Sequence, residues 1–295
     1  MTGFREILAM PLDEALNLAR QIRRSNFSGM HQIRVASGYL ISERCSADCK
    51  FCGWNNRIIP IEERPKLDAA TLQKELTEIR DQRQGLELIN NTQRINAKLL
   101  SELERFRFAC QHCRVGLNIG LSREIGNFQF LQEMGYAYYV NDLETAPRIF
   151  GRMVTSHDWA EKLESMHLCK EAGLSLHSGF ILGLGEEDAD LEIIFQKLKQ
   201  FQVDGIVINF FTPIHGVDLP SGLISPLEVL RRLAQLRIAF PNTSLVLGGG
   251  RKSYLGEGLI RVAFEIVDTI YTRSFLNHGN PYWLKEGEIL EDLGY

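Results

Sequence analysis

Residues 33–53 read IRVASGYLISERCSADCKFCG, an apolar strand-like run that leads into three closely spaced cysteines. Cys45, Cys49 and Cys52 follow a C-x3-C-x2-C spacing. A short loop with this spacing wraps three thiolates round one face of a cubic four-iron, four-sulfur cluster and leaves the fourth iron without a protein ligand. The stretch therefore predicts a metal-binding loop at the end of a β-strand.

Zinc is the main alternative for this triplet, because structural zinc sites take four nitrogen or sulfur ligands and His31 lies upstream. Zinc motifs usually come as paired C-x2-C halves, which the triplet does not match. Cys110 and Cys113 form a separate C-x2-C pair, for which a metal, a disulfide or ordinary buried thiols remain open, and Cys169 falls in a helical pattern. The spacing of the triplet favours an iron-sulfur cluster.

The chain as a whole alternates strand and helix patterns, which is typical of repeated β-α units on a parallel sheet. Strands are predicted at 33–41, 86–90, 115–119, 136–140, 174–182, 205–211, 244–247 and 269–272. Helices are predicted at 11–24, 70–80, 97–105, 158–172, 188–201 and 226–238. This count predicts an α/β fold, a complete (β/α)8 TIM-type barrel with an N-terminal helical extension, with an open sheet as the alternative.

Composition is that of a globular protein, with 44% hydrophobic and 24% charged residues among 295. We predict a single domain, with the helical extension at 1–30, the barrel at 31–281 and a tail at 282–295. The net charge of −4 argues against a nonspecific nucleic-acid binder, and no long apolar stretch predicts a membrane span. The N-terminus lacks a secretory pattern, so we expect a cytoplasmic protein whose thiols stay available to metal.

The triplet, with Phe51 directly before its third cysteine, resembles the signature of the radical S-adenosylmethionine (SAM) superfamily. YYVNDLET at 138–145 and EAGLSLHSGFILGLGEE at 171–187 are similar to SAM-binding segments of its biotin-synthase-like branch, and LGGGR at 247–251 is similar to a strand end there. That branch holds biotin synthase, a hydrogenase-maturation enzyme and methylornithine synthase. The resemblance implies a barrel with the cysteine loop at its C-terminal mouth, where barrel enzymes place their active sites.

The same resemblance implies the chemistry. Cys45, Cys49 and Cys52 would hold a 4Fe-4S cluster whose open iron SAM chelates. An electron from the cluster would split SAM to methionine and a 5′-deoxyadenosyl radical, which abstracts hydrogen from a small-molecule substrate in cofactor or metabolite biosynthesis. The expected partner is a reductant protein such as flavodoxin or ferredoxin, and no nucleic acid or membrane is expected.

The SAM-binding residues that the resemblance implies are spread over several segments: Phe51, Asn90, Asn141, Asp142, Glu144, Arg152, Gly183 and Leu184. Glu144 suits the ribose diol, because a carboxylate accepts hydrogen bonds from both hydroxyls. Arg152 is favoured as the bidentate partner of the SAM carboxylate. The glycines at 179–185 allow the backbone to approach the flat adenine closely.

The substrate is expected inside the barrel, near polar side chains on the later strands: His177, Asn209, Thr212, Arg251, Arg273 and Asn277. An imidazole beside a guanidinium suits an anionic substrate or a metal. Biotin synthase holds a second cluster there with three cysteines and an arginine, whereas the corresponding positions here are Asn90, the neighbourhood of Leu117 and Asn118, His177 and Arg251. Two rivals therefore remain: a sulfur-inserting synthase with an unusually bound auxiliary cluster, and a noncatalytic metal-binding scaffold.

Overall fold

The computed structural model describes residues 3–27, 34–40, 45–52, 55, 70, 84–89, 94–213 and 224–273. In this part of the chain, eight parallel strands follow one another round a closed barrel, and the last strand pairs with the first. The strands are β1 Arg34–Leu40, β2 Gln84–Ile89, β3 Arg114–Asn118, β4 Tyr138–Val140, β5 Ser175–Leu182, β6 Gly205–Phe210, β7 Ser244–Leu247 and β8 Thr269–Arg273. The predicted TIM-type barrel is confirmed, and the open sheet is not observed among these strands.

Two helices precede β1, and the others connect the strands. They are α1 Phe4–Leu8, α2 Leu12–Asn26, α3 Ala97–Phe106, α4 Ile125–Glu133, α5 Pro147–Met153, α6 Trp159–Glu171, α7 Asp188–Gln200, α8 Pro226–Ala239 and α9 Glu257–Phe264. The helices predicted at 11–24, 97–105, 158–172, 188–201 and 226–238 match α2, α3, α6, α7 and α8 closely. The helix predicted at 70–80 lies almost wholly outside the described residues.

Alternation along the strands separates the two sides of the barrel wall, because successive strand residues point to opposite faces. Leu86 and Leu88 belong to the main hydrophobic core beneath the helices. Glu87 lies between them and points inward, where its carboxylate accepts a hydrogen bond from the Tyr271 hydroxyl of β8. A second apolar cluster is formed inside the wall by Tyr138, Val140, Val207 and Val246. The barrel interior, or lumen, is therefore lined by both polar and apolar groups.

The N-terminal extension packs on the outside of the barrel. Phe4 of α1 stacks against Phe240 with 6.1 Å between ring centroids, and the Gln235 amide of α8 donates to the carbonyl oxygen of Leu8 at 2.9 Å. Arg237 and Asp268 form a fully buried ion pair at 2.6 Å beside the same helix. No helix in the described segments combines the length and the apolar character that crossing a bilayer requires.

Candidate active site

The cysteine loop lies at the C-terminal ends of the strands. Cys49 and Phe51 pack against an apolar cluster on α5 and on the exits of β5 and β6, which consists of Ile149, Phe150, Met153, Val154, Leu184 and Phe211. Leu184 lies two residues after the end of β5, and Phe211 directly follows β6. The loop is thus at the mouth of the barrel, as the sequence predicts, and Phe51 and Leu184 share one apolar environment with Cys49.

Asp48 fastens this loop to the segment after α5. Its carboxylate accepts hydrogen bonds from the backbone N–H groups of Thr155 and Ser156, both at 3.0 Å, and from the Thr155 hydroxyl. Lys50 adds a backbone hydrogen bond to the carbonyl oxygen of Met153 at 3.0 Å. Burial alone would raise the pKa of Asp48, but the hydrogen bonds from Thr155 and Ser156 hold it well below its usual range. The protein itself therefore positions the loop.

The three cysteines fit an iron-sulfur cluster. Cys45, Cys49 and Cys52 are thiols rather than disulfides, and the N–H of Cys52 donates to the carbonyl oxygen of Cys49 at 3.1 Å, which closes a tight turn. Burial and then the nearby charge of Glu144 raise the pKa of the Cys49 thiol. A thiolate in such a place needs adjacent positive charge, which iron atoms supply. Within the described residues, no group of three His, Cys, Asp or Glu side chains is arranged to hold a single metal ion.

Glu144 and Lys162 form a partly buried ion pair close to the loop. The Lys162 ammonium lies 3.4 Å from Glu144 Oε1 and donates to the carbonyl oxygen of Asp142 at 2.7 Å. Burial raises the pKa of Glu144, and Lys162 opposes this rise. Glu144 has a φ of 65°, in the left-handed region that residues other than glycine seldom adopt. Such strain is concentrated at functional sites, where the surrounding structure maintains it.

Asn141, Asp142 and Asn209 form a hydrogen-bonded network at the same mouth. The Asn141 amide donates to the carbonyl oxygen of Lys162 at 2.9 Å. Asn209 Nδ2 donates to Asp142 Oδ2 at 3.3 Å, while Asn209 Oδ1 accepts from the backbone N–H of Gly249 at 3.0 Å. The other oxygen of Asp142, Oδ1, is buried and accepts no hydrogen bond in the described structure. A bound molecule is the natural donor to such an atom.

Gly183 and Leu184 form the tight turn that the sequence assigns to SAM adenine. Their N–H groups both donate to the Glu186 carboxylate at 2.8 Å, which fixes the turn. Gly183 has a φ of 98°, and a Cβ atom there would lie 2.5 Å from the Tyr254 hydroxyl oxygen. Glycine is therefore required at this position for both conformation and space.

His177 and Arg251 each contact neighbouring strands of the barrel. His177 on β5 stacks on Tyr138 of β4, with 4.0 Å between ring centroids and an interplanar angle of 15°. Gly205 makes room for the imidazole, since a Cβ atom there would lie 2.7 Å from it. Arg251 donates to the carbonyl oxygens of Gly248 at 2.9 Å and Tyr271 at 2.8 Å. Both side chains are buried.

Other candidate residues lie elsewhere. The side chain of Arg152 is exposed, and its carbonyl oxygen accepts a hydrogen bond from Lys50 Nζ at 3.0 Å. Asn90 and Asn277 fall outside the described residues, and so does the side chain of Arg273. Thr212 is exposed and its hydroxyl lies 3.3 Å from that of Ser253.

The remaining cysteines are distant from the mouth. Cys110 lies in a 3₁₀ turn, Arg107–Gln111, and Cys113 directly precedes β3, at the N-terminal end of the barrel. Burial raises the pKa of both thiols to about 11. Cys169 is fully buried in α6, where it packs in the main hydrophobic core.

Lys162 is the main site residue that sequence reasoning missed. In isolation it reads as a solvent-exposed charge in the run AEKLES. The signal that identifies it is helical spacing, because Lys162, Met166 and Cys169 lie at i, i+4 and i+7 and all three are buried on one face of α6. The capping box of Asp158 and Glu161 fixes where that helix begins and hence which face points inward.

Comparisons with known proteins agree with this geometry. Residues 39–198 match the model of the "Radical SAM superfamily", and residues 207–295 match that of the "Biotin and Thiamin Synthesis associated domain". The chain is 32% identical over 228 residues to biotin synthase of Geobacter metallireducens, covering 73% of this chain and 68% of that one. It is 28% identical over 278 residues to biotin synthase of Thermus thermophilus, covering 89% and 80%.

Among solved structures, the FeFe-hydrogenase maturase HydG from Carboxydothermus hydrogenoformans has a TM-score of 0.81 at 17% identity, covering 98% of this chain and 73% of that chain. Methylornithine synthase (PylB) has a TM-score of 0.74 at 16% identity, covering 91% and 80%. These two structures share the fold. With the matched family model spanning more than half of its residues, the chain belongs to the radical SAM superfamily and is an enzyme of the biotin-synthase-like type.

Proposed function

We propose that this enzyme cleaves SAM reductively and directs the resulting radical to a hydrogen of a small molecule inside the barrel. One observation carries the proposal: the three predicted parts of the site converge. Cys49 packs against the apolar cluster that contains Leu184 and Phe150, and the ammonium of the Glu144–Lys162 pair lies 5.9 Å from the centroid of the Phe150 ring. The cysteine loop, Glu144 and the Gly183–Leu184 turn are therefore close to one another, which supports a common SAM-binding role.

A bound 4Fe-4S cluster would supply the electron that splits SAM, and the 5′-deoxyadenosyl radical would take hydrogen from the substrate. Cys45, Cys49 and Cys52 hold the cluster in this proposal. Glu144 accepts hydrogen bonds from the ribose hydroxyls, in a backbone conformation that its surroundings already impose. Lys162 is better placed than Arg152 to pair with the SAM carboxylate, because it is buried beside Glu144 while Arg152 is exposed.

The other residues predicted to bind SAM provide apolar surface and backbone positions around the cysteine loop. Phe51 and Leu184 provide apolar surface beside the cysteine loop, where a flat adenine is able to pack. The Gly183 turn permits close approach of the backbone. The Asn141 side chain donates a hydrogen bond to the backbone carbonyl oxygen of Lys162 and accepts one from the Lys162 ammonium group. Its role in this proposal is to keep residues 141–145 in place.

The barrel contributes by enclosing the substrate. Asn209 and Arg251 present polar groups at the exits of β6 and β7, and His177 lines the wall beside Tyr138. A closed lumen holds the reacting carbon in one position and excludes water and stray hydrogen donors. We propose a flavodoxin- or ferredoxin-type protein as the source of the electron.

Sulfur insertion of the biotin synthase type is the second candidate, because the curated relatives carry that name. It requires a sulfur source, which in biotin synthase is the auxiliary cluster. At the corresponding place on β5 this chain has an imidazole stacked on Tyr138 rather than a thiol. Iron analysis after anaerobic reconstitution separates the candidates: about four irons per chain supports hydrogen abstraction with one cluster, and about eight supports sulfur insertion.

The direct test is anaerobic incubation of the reconstituted enzyme with SAM and a strong reductant. We expect 5′-deoxyadenosine and methionine, quantified by mass spectrometry. Cys49→Ser should abolish both products, whereas Cys110→Ser, at the opposite end of the barrel, is the matched control and should retain them. Intact SAM with the wild-type enzyme would support the noncatalytic scaffold instead.

A further inference from the structure

The buried carboxylate of Asp142 is the most unusual polar group at the barrel mouth. It lies just after β4, and only one of its two oxygens has a hydrogen-bond donor. Buried carboxylate oxygens normally accept hydrogen bonds, since an unsatisfied one costs about 1–3 kcal/mol or more. The unpartnered Oδ1 is therefore an acceptor position that a ligand would fill.

The orientation of this carboxylate is set by a chain of hydrogen bonds. The backbone N–H of Gly249 donates to Asn209 Oδ1, so the Asn209 NH2 group must face Asp142. Asn209 Nδ2 donates to Asp142 Oδ2 at 3.3 Å, and Lys162 Nζ donates to the backbone carbonyl oxygen of Asp142 at 2.7 Å. Asp142 is thus held from both sides with Oδ1 available. It is a preorganised acceptor.

The charge around Asp142 is not balanced. Burial, Glu144 and Glu87 all raise the pKa of Asp142, and of the described cations only Lys162 lowers it. Lys162 is itself shared with Glu144. Glu87, which is 3% exposed, receives hydrogen bonds from Tyr271 and Asn118, both neutral donors. The described residues therefore place two other carboxylates and one ammonium group near Asp142.

The wall beside these carboxylates is apolar. Val140, Val207 and Val246 form a cluster with Tyr138 inside the barrel, and Tyr271 packs against it. Arg251 directs its guanidinium at the carbonyl oxygens of Gly248 and Tyr271. A molecule that satisfies both surroundings has an aliphatic part and a positively charged group with N–H donors.

We infer that the substrate, rather than SAM, donates to Asp142 Oδ1, and that it does so through a protonated primary amine whose positive charge favours the ionised forms of Asp142 and Glu87. This inference rests on the proposed function, because it assumes that the lumen is where the substrate of the radical reaction lies. It places the cation at β4 and β6, and the aliphatic chain against the valines. A charge-assisted hydrogen bond of this kind is worth about tenfold or more in affinity over a neutral one.

Three probes of equal length test the inference: n-pentylamine, 1-pentanol and pentanoate. Each is titrated, without reductant, into reconstituted enzyme that is saturated with SAM, so that the SAM cation is already in place. Ligand-observed NMR gives the dissociation constants. We expect pentylamine to bind about tenfold more tightly than pentanol and pentanoate to bind most weakly. Equal binding of amine and alcohol, or tightest binding of the anion, overturns the inference.

Variants assign the selectivity to its residue. Asp142→Asn should reduce pentylamine affinity to about that of pentanol, and Glu87→Gln should reduce it less. Asp13→Asn, on the exposed face of α2, is the control and should leave it unchanged. A folded Asp142→Asn protein that retains the amine preference contradicts the assignment.

Because binding is measured without turnover, this result is separate from the test of the proposed function. Wild-type enzyme that forms 5′-deoxyadenosine but shows no amine preference refutes the substrate class alone. Enzyme that leaves SAM intact refutes the proposed function, whatever the probes do.

Discussion

Replacing Asp48 with Asn tests whether the protein holds the cysteine loop ready for its cluster. Asn keeps one acceptor oxygen but carries no charge, and it presents an NH2 group where Asp48 Oδ2 accepts from the Thr155 hydroxyl, so that charge-assisted hydrogen bond is replaced by a neutral one in which the hydroxyl accepts. A hydrogen bond to a charged acceptor contributes roughly 1.5–3 kcal/mol, and solvent screening of a partly exposed side chain places the loss at about 1.5 kcal/mol. Since about 1.4 kcal/mol is a factor of ten, the loop should leave its place about tenfold more often.

The assay is the rate at which an iron chelator bleaches the reconstituted cluster under anaerobic conditions. We expect the Asp48→Asn enzyme to lose iron about tenfold faster than the wild type, because the chelator reaches the cluster when the loop opens. Asp158→Asn is the matched control. Asp158 caps α6 by accepting from the N–H of Glu161 at 2.8 Å, and Asn caps helices equally well. Equal bleaching rates for Asp48→Asn and wild type would refute the idea that this clamp positions the loop.

Three further predictions address the other parts of the site. Lys162→Met leaves the partly buried Glu144 carboxylate without its cation and should weaken SAM binding roughly 10–100-fold in equilibrium dialysis, with partial recovery in Lys162→Arg; unchanged affinity would exclude the role proposed for Lys162. Burial raises the pKa of Glu87 from 4.5 to about 7. Between these two pH values the folded protein keeps a proton that the unfolded chain has released. The free energy of unfolding therefore falls by up to ~3 kcal/mol as the pH rises from the lower value to the higher. Urea unfolding of the wild type and of Glu87→Gln at both pH values measures this effect. The free energy of unfolding of the wild type should fall relative to that of Glu87→Gln at the higher pH, and a difference between the two proteins that does not change with pH counts against the pKa shift. Gly183→Ala introduces a Cβ atom 2.5 Å from the Tyr254 hydroxyl oxygen at a φ of 98°, and should lower the free energy of unfolding by about 1–3 kcal/mol, whereas Gly185→Ala, with open space around its Cβ position, tests the φ effect alone.

Sequence periodicity is sufficient to predict the barrel, since its strong signals are local. The strands at 174–182 and 244–247 are apolar on the outer face and end in glycine, and the long helices have clear caps and amphipathic patterns. The short helices α4, α5 and α9 are missed because two or three turns give too few residues for a period to be visible.

The site is only partly predictable, because its key contacts join residues far apart in the sequence. Cys45, Cys49 and Cys52 are identified by spacing alone. The contact of Asp48 with Thr155 spans 107 residues, and no local pattern announces it. Arg152 and Lys162 are both basic residues on helices, yet Arg152 is exposed in the last turn of α5 and Lys162 is buried on α6. Which cation reaches the site is decided by helix orientation, and that depends on tertiary packing.

The central claim is that three thiolates hold an iron-sulfur cluster with one iron open to SAM. Electron paramagnetic resonance of the reduced, reconstituted enzyme tests it most directly, because a ligand that binds iron changes the signal of the cluster. The account predicts a clear change in the spectrum when SAM is added, and the same change in the Cys110→Ser control. A cluster spectrum that is identical with and without saturating SAM would contradict it.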